Sequence, residues 1–119
     1  MPHELGSVTL AREARVQVRF ANGEAHECLV DTGFDGALVL PRTLVARLQL
    51  PIIGQLVIQT VGGARSTAEL ALAEVVWLAE TRTFEVIVST HDDSLIGTEM
   101  LIGARLVIDY VAGTVEISK

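Results

Sequence analysis

The residue best suited to chemistry in this sequence is Asp31, which follows an apolar segment and begins the tripeptide Asp-Thr-Gly. A carboxylate at the end of a buried strand loses hydration and needs hydrogen bonds to compensate for that loss. The hydroxyl of Thr32 and the backbone amides of a tight turn at Gly33 can supply them. A carboxylate held in this way can act as a general acid or base. One such aspartate in a chain of 119 residues is half of an acid–base pair, and a second copy of the chain would complete it.

The residues around this aspartate form a longer pattern. Residues 30–41 read Val-Asp-Thr-Gly-Phe-Asp-Gly-Ala-Leu-Val-Leu-Pro, so a second apolar run follows the turn closely. Further along the chain, residues 95–97 are Leu-Ile-Gly and lead into a predicted short helix. The two motifs, in this order, resemble those of the retropepsin-like (clan AA) aspartic peptidases. The resemblance is strongest to the small prokaryotic members, which share the Val-Asp-Thr-Gly-Phe pattern, and it covers roughly residues 14–118.

The resemblance implies an aspartic endopeptidase that works as a homodimer and needs no cofactor. Each chain would contribute one Asp31, and two carboxylates this close share one proton because both cannot ionise together. The ionised carboxylate would draw a proton from a water molecule that attacks a peptide carbonyl, and the protonated one would act as the general acid. Thr32 would hydrogen-bond across the two-fold axis. Gly33 would let backbone amides approach the carboxylates.

In the same family, a flap closes over an extended peptide or protein substrate, which a mainly apolar groove holds. The predicted strands 55–60 and 66–78 enclose a turn with two adjacent glycines, which bend at little cost and let backbone approach a ligand. An ordinary hairpin turn explains the same residues equally well. Under the flap interpretation, the substrate-binding residues of the turn are Val61, Gly62, Gly63 and Ala64.

The two residues after Asp-Thr-Gly are also candidates for contact with substrate. Many members of the family have Ala or Ser directly after this tripeptide, whereas this chain has Phe34, which changes the expected shape of the substrate pocket. Asp35 would contact substrate or lie solvated in the turn, and the turn is the favoured interpretation. Phe34 also supports an alternative function, a catalytically silent dimer that binds peptides or assembles larger complexes.

Hydrophobic periodicity predicts a mostly-β fold around these motifs. Residues 15–20 alternate apolar and polar side chains, and the Asn22-Gly23 pair that follows is a strong hairpin signal. Several further short strands follow, without the alternation of strands and helices that a parallel sheet requires. The sequence therefore predicts a single closed, retropepsin-like β domain over residues 1–119, with one or two short helices, that is active as a homodimer.

The predicted helices and the C-terminal strand have specific boundaries. A short helix is expected over 42–48, with Pro41 in its first turn, and Thr98 is a candidate cap for a second helix. Strand 114–117 is expected to be an exposed edge that interleaves with the corresponding strand of a partner.

Composition argues against several classes of partner. The chain is 50% hydrophobic, has a formal net charge of −6 and contains one cysteine, Cys28. An acidic chain lacks the basic face that binds nucleic acid, and a single cysteine at an apolar position fits a core residue. Because no leader pattern and no apolar run of ~18 residues occurs, we expect a cytoplasmic protein with no membrane partner.

Other polar candidates have simple interpretations. His91-Asp92-Asp93 contains ligand types, but three adjacent residues cannot easily all face one ion, so a solvated loop is favoured and no metal is expected. Asp109 is interpreted as a turn or ion-pair residue rather than a second catalytic acid. Trp77 is interpreted as a core or interface residue.

Overall fold

The chain forms ten strands, one α-helix and one 3₁₀ helix in the part that this computed structural model describes, residues 1–59 and 62–119. The first six elements are β1 (His3–Val8), β2 (Ala14–Phe20), β3 (Ala25–Val30), β4 (Leu38–Pro41), α1 (Arg42–Arg47) and β5 (Ile52–Gln59). The others are β6 (Arg65–Trp77), β7 (Glu80–Ser89), β8 (Leu95–Ile96), the 3₁₀ helix (Thr98–Leu101), β9 (Arg105–Asp109) and β10 (Thr114–Ser118).

One sheet contains all ten of these strands, in the order β5-β6-β7-β4-β8-β3-β2-β1-β10-β9. A further pairing joins β6 to β2, where Phe20 lies opposite Val75. This pairing closes six of the strands, β6, β7, β4, β8, β3 and β2, into a ring. The predicted mostly-β, closed fold with short helices is confirmed.

The hairpin of β2 and β3 follows the predicted alternation, because every second side chain of β2 is buried. Its turn is held by Asn22, whose Oδ1 accepts the backbone N–H of Glu24 at 2.9 Å. Gly23 has a φ of +94°, which glycine adopts without strain. β3 therefore returns antiparallel to β2 and ends one residue before Asp31. The buried residues of β2 are Ala14, Val16, Val18 and Phe20.

The core is built mainly from aliphatic side chains, with Trp77 as the largest fully buried residue. The indole Nε1–H of Trp77 donates to the carbonyl oxygen of Met100 at 2.9 Å and so ties β6 to the 3₁₀ helix. Trp77 is thus a core residue, one of its two predicted places. Cys28 is also fully buried, and burial raises the pKa of its thiol to about 12. Cys28 is therefore a neutral core residue, as predicted.

The first helix begins at Arg42, as predicted, whereas the second begins differently. Pro41 ends β4 and is the N-cap of α1, and α1 ends at Arg47, one residue earlier than expected. Gly97, rather than Thr98, is the N-cap of the 3₁₀ helix, and no side chain caps it. The predicted cap is wrong because a contact from elsewhere in the fold takes its place. The N–H of Thr98 donates to the carbonyl oxygen of Phe34 at 2.8 Å.

β10 is not the exposed edge strand that the sequence predicts. It lies between β1 and β9 of the same chain, with Val115 opposite both Gly6 and Ile108. The turn before β10 allows this, because Gly113 has a φ of +72° and its N–H donates to the carbonyl oxygen of Asp109 at 2.8 Å. Both sides of β10 are paired within the chain, so the prediction that residues 114–117 form an exposed edge is wrong. The interleaving with a partner chain stays a prediction. Among the described strands, the free edges are β5 and β9.

We expect Trp77→Phe to lower the free energy of unfolding by about 2 kcal/mol, because it removes buried volume and leaves the Met100 carbonyl without its donor. Urea denaturation followed by far-ultraviolet circular dichroism measures this change. Leu10→Ala is the control, since Leu10 is fully exposed, and it should change the free energy by less than about 0.5 kcal/mol. Equal stability of Trp77→Phe and the wild type would contradict the packing described.

Candidate active site

Asp31 directly follows β3, at a point where neighbouring strands determine its position. β3 pairs with β2 on one side and in parallel with β8 on the other, where Val30 lies opposite Ile96. The N–H of Asp31 donates to the carbonyl oxygen of Ile96 at 2.9 Å, which continues this pairing one residue beyond the strand. The sheet therefore holds the backbone of Asp31, although the residue begins a loop.

The carboxylate of Asp31 is half-buried and keeps one oxygen available. Its Oδ1 accepts the backbone N–H of Gly33 at 2.9 Å, and its main-chain carbonyl accepts the N–H of Phe34 at 3.2 Å. Within the described residues, no hydrogen bond reaches Oδ2. A Cβ atom at position 33 would lie 3.2 Å from Oδ1, closer than most side-chain contacts. Glycine at this position therefore lets the amide approach the carboxylate.

The Leu-Ile-Gly motif packs directly behind the Asp31 loop. The N–H of Gly97 donates to the carbonyl oxygen of Ala37 at 2.8 Å, and that of Thr98 donates to the carbonyl oxygen of Phe34. A Cβ atom at Gly97 would overlap the carbonyl oxygen of Gly36, so no larger residue fits there. The two motifs of the sequence analysis are thus in contact, and glycine is required where they meet.

Phe34 is accommodated after Asp-Thr-Gly because two glycines leave room for its ring. A Cβ atom at Gly36 would lie 2.5 Å from Cζ of the ring, and one at Gly97 would lie 2.5 Å from Cδ2. The ring therefore lies against both glycines and is half-buried. Its presence in place of a small residue is compensated by glycine at position 36 of the loop and at position 97 of the second motif.

A groove of about 780 Å³ lies beside this loop. Phe34 and Asp35 contribute to one part of its wall, and the hairpin of β5 and β6 contributes another. Asp31, Thr32 and Gly33 precede these residues in the chain but are not among those that line it. The lining residues are Phe34, Asp35, Val39, Arg42 and segments 55–58, 66–69 and 87–90.

Apolar surface exceeds polar surface in the groove, as we expected, but charged side chains line it as well. Arg42 and Glu69 both line it and form an ion pair of 3.1 Å between α1 and β6. Asp35 adds an exposed carboxylate. Sequence analysis missed the ion pair because its members are far apart in the chain and share no motif. Only the tertiary contact between α1 and β6 brings them together.

Three of the four predicted flap residues lie in the described part of the connection between β5 and β6. Gly62 and Gly63 have φ values of +100° and +86°, a region that favours glycine, and open space surrounds both positions. Ala64 follows them and precedes β6. Val61 lies outside the described residues. The strands of this hairpin line the groove, whereas Gly62, Gly63 and Ala64 are not among the lining residues.

The other polar candidates make local contacts. The hydroxyl of Ser89 donates to Oδ2 of Asp93 at 2.9 Å. Oδ1 of Asp109 accepts the N–H of Val111 at 2.8 Å, so Asp109 is a turn residue, as predicted. Across residues 1–59 and 62–119, no three or more His, Cys, Asp or Glu side chains are placed to hold a metal ion. Neither helix in that part of the chain is long and apolar enough to cross a membrane.

Comparison with known proteins identifies the family. The sequence model of a family described as aspartyl protease matches residues 14–106, which include both motifs. The chain belongs to the aspartyl protease family. An uncharacterized protein of Archaeoglobus fulgidus is 31% identical to this family member over 111 residues, which are 87% of this chain and 84% of that protein.

Solved structures of proteases have the same fold as this aspartyl protease family member. A retropepsin-like aspartic protease from Rickettsia conorii matches with a TM-score of 0.68 and 17% identity, over 98% of both chains. EIAV protease complexed with the inhibitor HBY-793 matches with a TM-score of 0.66 and 22% identity, over 83% of this chain and 96% of that one. At such identities the likeness concerns the fold, which is retropepsin-like as predicted.

We expect Gly97→Ala to destabilise this aspartyl protease fold by at least about 2 kcal/mol, because the added methyl group would displace the loop at Gly36. Gly54→Ala is the matched control, since open space surrounds position 54, and it should change stability by less than about 0.5 kcal/mol. Thermal denaturation followed by circular dichroism compares the two variants. A Gly97→Ala protein that melts with the wild type would show that the two motifs do not meet as described.

Proposed function

We propose that this protein is an aspartic endopeptidase whose active site is formed by two copies of the chain. Each copy supplies one Asp31, and the pair activates the water molecule that hydrolyses a peptide bond. One observation carries the proposal, namely how Asp31 of the Asp-Thr-Gly motif is held. Its backbone is bonded to β8, one carboxylate oxygen is bonded to the N–H of Gly33, and the other oxygen is available.

The exposed turn after Asp31 supports a second copy as the source of the other carboxylate. Asp-Thr-Gly occurs once in the sequence, so one chain supplies one such aspartate. Thr32 and Gly33 are exposed, and the hydroxyl of Thr32 has no hydrogen-bond partner within residues 1–59 and 62–119. A second copy facing this turn would give Thr32 a partner and bring the two carboxylates together.

The proposed reaction needs one shared proton. The ionised Asp31 carboxylate takes a proton from water as the water oxygen bonds to the peptide carbonyl carbon. The protonated carboxyl of the other chain donates its proton to the carbonyl oxygen, which gives a tetrahedral intermediate. This intermediate breaks down when the carboxyl that took the proton from water donates it to the nitrogen and the C–N bond cleaves. The other carboxylate takes back a proton from a hydroxyl of the intermediate as the carbonyl of the acid product forms, so the pair again holds one proton. No metal ion and no covalent bond to the protein takes part.

The groove beside Phe34 supports an extended peptide as the substrate. Strands β5 and β6 line it, and an extended chain beside strands places alternate side chains into pockets. Asp35 lies in its wall, which supports a contact with substrate as well as a place in the turn. Because Arg42 and Glu69 also line it, we expect the cleaved peptides to include polar side chains as well as apolar ones. The turn at 61–64 would cover the bound peptide.

We expect the wild-type protein to cleave members of a diverse peptide library between pH 4 and 7, with mass spectrometry as the readout. Asp31→Asn should lower this activity at least ~100-fold, because it removes the general base and its shared proton. Asp92→Asn is the matched control, since it removes the same charge from an exposed loop residue, and it should cleave like the wild type.

The same library separates the alternatives. Equal cleavage by the wild type and Asp31→Asn would locate the chemistry elsewhere and contradict the proposal. Peptide binding by both proteins without cleavage by either would favour the catalytically silent dimer.

We expect kcat/KM to be a bell-shaped function of pH with its maximum in the acidic to near-neutral range. At high pH the pair loses its shared proton and the general acid is absent, whereas at low pH both carboxyls are protonated and the general base is absent. Initial rates on one cleaved peptide across this pH range give the profile. A rate that stays flat from pH 4 to pH 9 would contradict the shared-proton mechanism.

A further inference from the structure

The free edge of β9 has the features of an interface. β9 (Arg105–Asp109) ends the sheet and pairs with β10 on one side only. Val107 is 38% exposed, and Leu106 and Ile108 are only partly buried against the core. A strand edge that combines unpaired backbone groups with apolar side chains tends to pair with another chain.

The hydrogen bonds of the β9–β10 hairpin show which backbone groups point outward. The carbonyl oxygen of Asp109 accepts the N–H of Gly113, so the backbone of Asp109 faces β10. Because these groups alternate along an antiparallel strand, Val107 also faces β10. The N–H and C=O groups of Leu106 and Ile108 therefore point away from β10, towards the free edge.

The sequence of β9, Arg-Leu-Val-Ile-Asp, is complementary to itself when read in the opposite direction. When two copies pair antiparallel about a two-fold axis at Val107, each Val107 lies opposite the partner's Val107. Leu106 then lies opposite the partner's Ile108, and the outward-facing backbone groups of these residues bond on each side of the axis. Arg105 lies opposite the partner's Asp109, so opposite charges meet at both ends.

We propose that a second copy of this chain docks edge to edge on β9 in this register and that this contact builds the dimer. This interface rests on the proposed function, because the proposed function requires a second copy that supplies the second Asp31. We propose it in place of the interleaved terminal strands, because both sides of β10 are already paired within the chain. The contact is isologous, since each copy uses the same surface.

Both charged residues of β9 are available for this pairing. Arg105 is exposed and forms no ion pair with another described residue. Oδ1 of Asp109 accepts the N–H groups of Val111 and Ala112 at 2.8 and 3.0 Å. These bonds lower the pKa of Asp109, so it is a carboxylate at neutral pH. Oδ2 of Asp109 accepts no hydrogen bond within the described chain, which leaves it available to the partner's Arg105.

Apolar side chains flank β9 and extend the contact surface. Ile102 before the strand is 73% exposed, and Tyr110 and Val111 after it are 64% and 100% exposed. The other free edge, β5 (Ile52–Gln59), contains no charged residue and borders the groove, so it offers no complementary pair of charges. The edge of β9 is therefore the better match for a second copy.

Cross-linking at Val107 tests the register. Val107→Cys should form a disulfide between copies under mild oxidation, because opposed Cα atoms of a non-hydrogen-bonded pair lie ~4.5 Å apart. Glu116→Cys is the matched control, since Glu116 lies beside Val107 on β10. Its symmetry mate would be three strand spacings away, ~14 Å, which is too far for a disulfide. Cys28 is buried and does not compete.

We expect a covalent dimer on a non-reducing gel from Val107→Cys and none from Glu116→Cys. Equal cross-linking of both variants, or of neither, would overturn the register.

Charge reversal tests the pairing at the ends of the strand. Arg105→Glu should raise the dimer dissociation constant at least ~10-fold in sedimentation equilibrium, because each new carboxylate would face the partner's Asp109. Arg12→Glu makes the same change of charge at an exposed residue of the β1–β2 turn and should leave the constant unchanged. Asp109 is not substituted, because its carboxylate accepts the hydrogen bonds that stabilise the turn between β9 and β10. Equal constants for Arg105→Glu and the wild type, or a wild type that stays monomeric, would overturn the interface.

Peptide cleavage separates a failure of the interface from a failure of the proposed function. A wild type that dimerises and a Val107→Cys variant that cross-links, without cleavage of any peptide, support the interface and count against the proposed function. Cleavage that Arg105→Glu leaves unchanged at low protein concentration counts against the interface and leaves the proposed function standing.

Discussion

The position of Asp31 depends on backbone hydrogen bonds between its loop and the segment around β8. The N–H of Asp31 donates to the carbonyl oxygen of Ile96. The N–H of Gly97 donates to the carbonyl oxygen of Ala37, near the end of the Asp31 loop. These bonds compensate for the entropy that the loop loses when it is ordered, so a half-buried carboxylate can be presented in one orientation. Glycine at position 97 permits the close approach of the two segments, since a side chain there would overlap the carbonyl oxygen of Gly36.

The same contact shapes the groove. Phe34 packs its ring against Gly36 and Gly97, and it is also part of the groove wall. The residues that hold the aspartate are thus linked to those that would contact a substrate. Arg42 and Glu69 add an ion pair to that wall, so both the shape and the charge of the groove come from elements that meet only in the fold.

Local patterns in the sequence predicted the parts of the structure that local interactions determine. The alternation in β2 and the Asn22-Gly23 turn depend on residues close together in the chain, so both could be predicted. The family and the fold were predicted from the resemblance of two short motifs. The place of β10 could not be predicted in this way, because alternation identifies a strand but not its neighbours. The turn at Gly113 pairs Val115 of β10 with Ile108 of β9 in the same chain. The pair of Arg42 and Glu69 was missed for the same reason, since it depends on tertiary contact.

The central claim is that one active site uses the Asp31 carboxylates of two chains. A subunit-exchange experiment tests this claim most directly. A constant amount of wild-type protein is mixed with increasing amounts of Asp31→Asn, the subunits are allowed to exchange, and peptide cleavage is measured. A mixed dimer would contain one Asp31 carboxylate instead of two and would be inactive. An equal amount of the variant should therefore lower the activity of the wild-type chains to about half, and an excess should lower it further. Activity that depends only on the amount of wild type, whatever the amount of variant, would contradict the account.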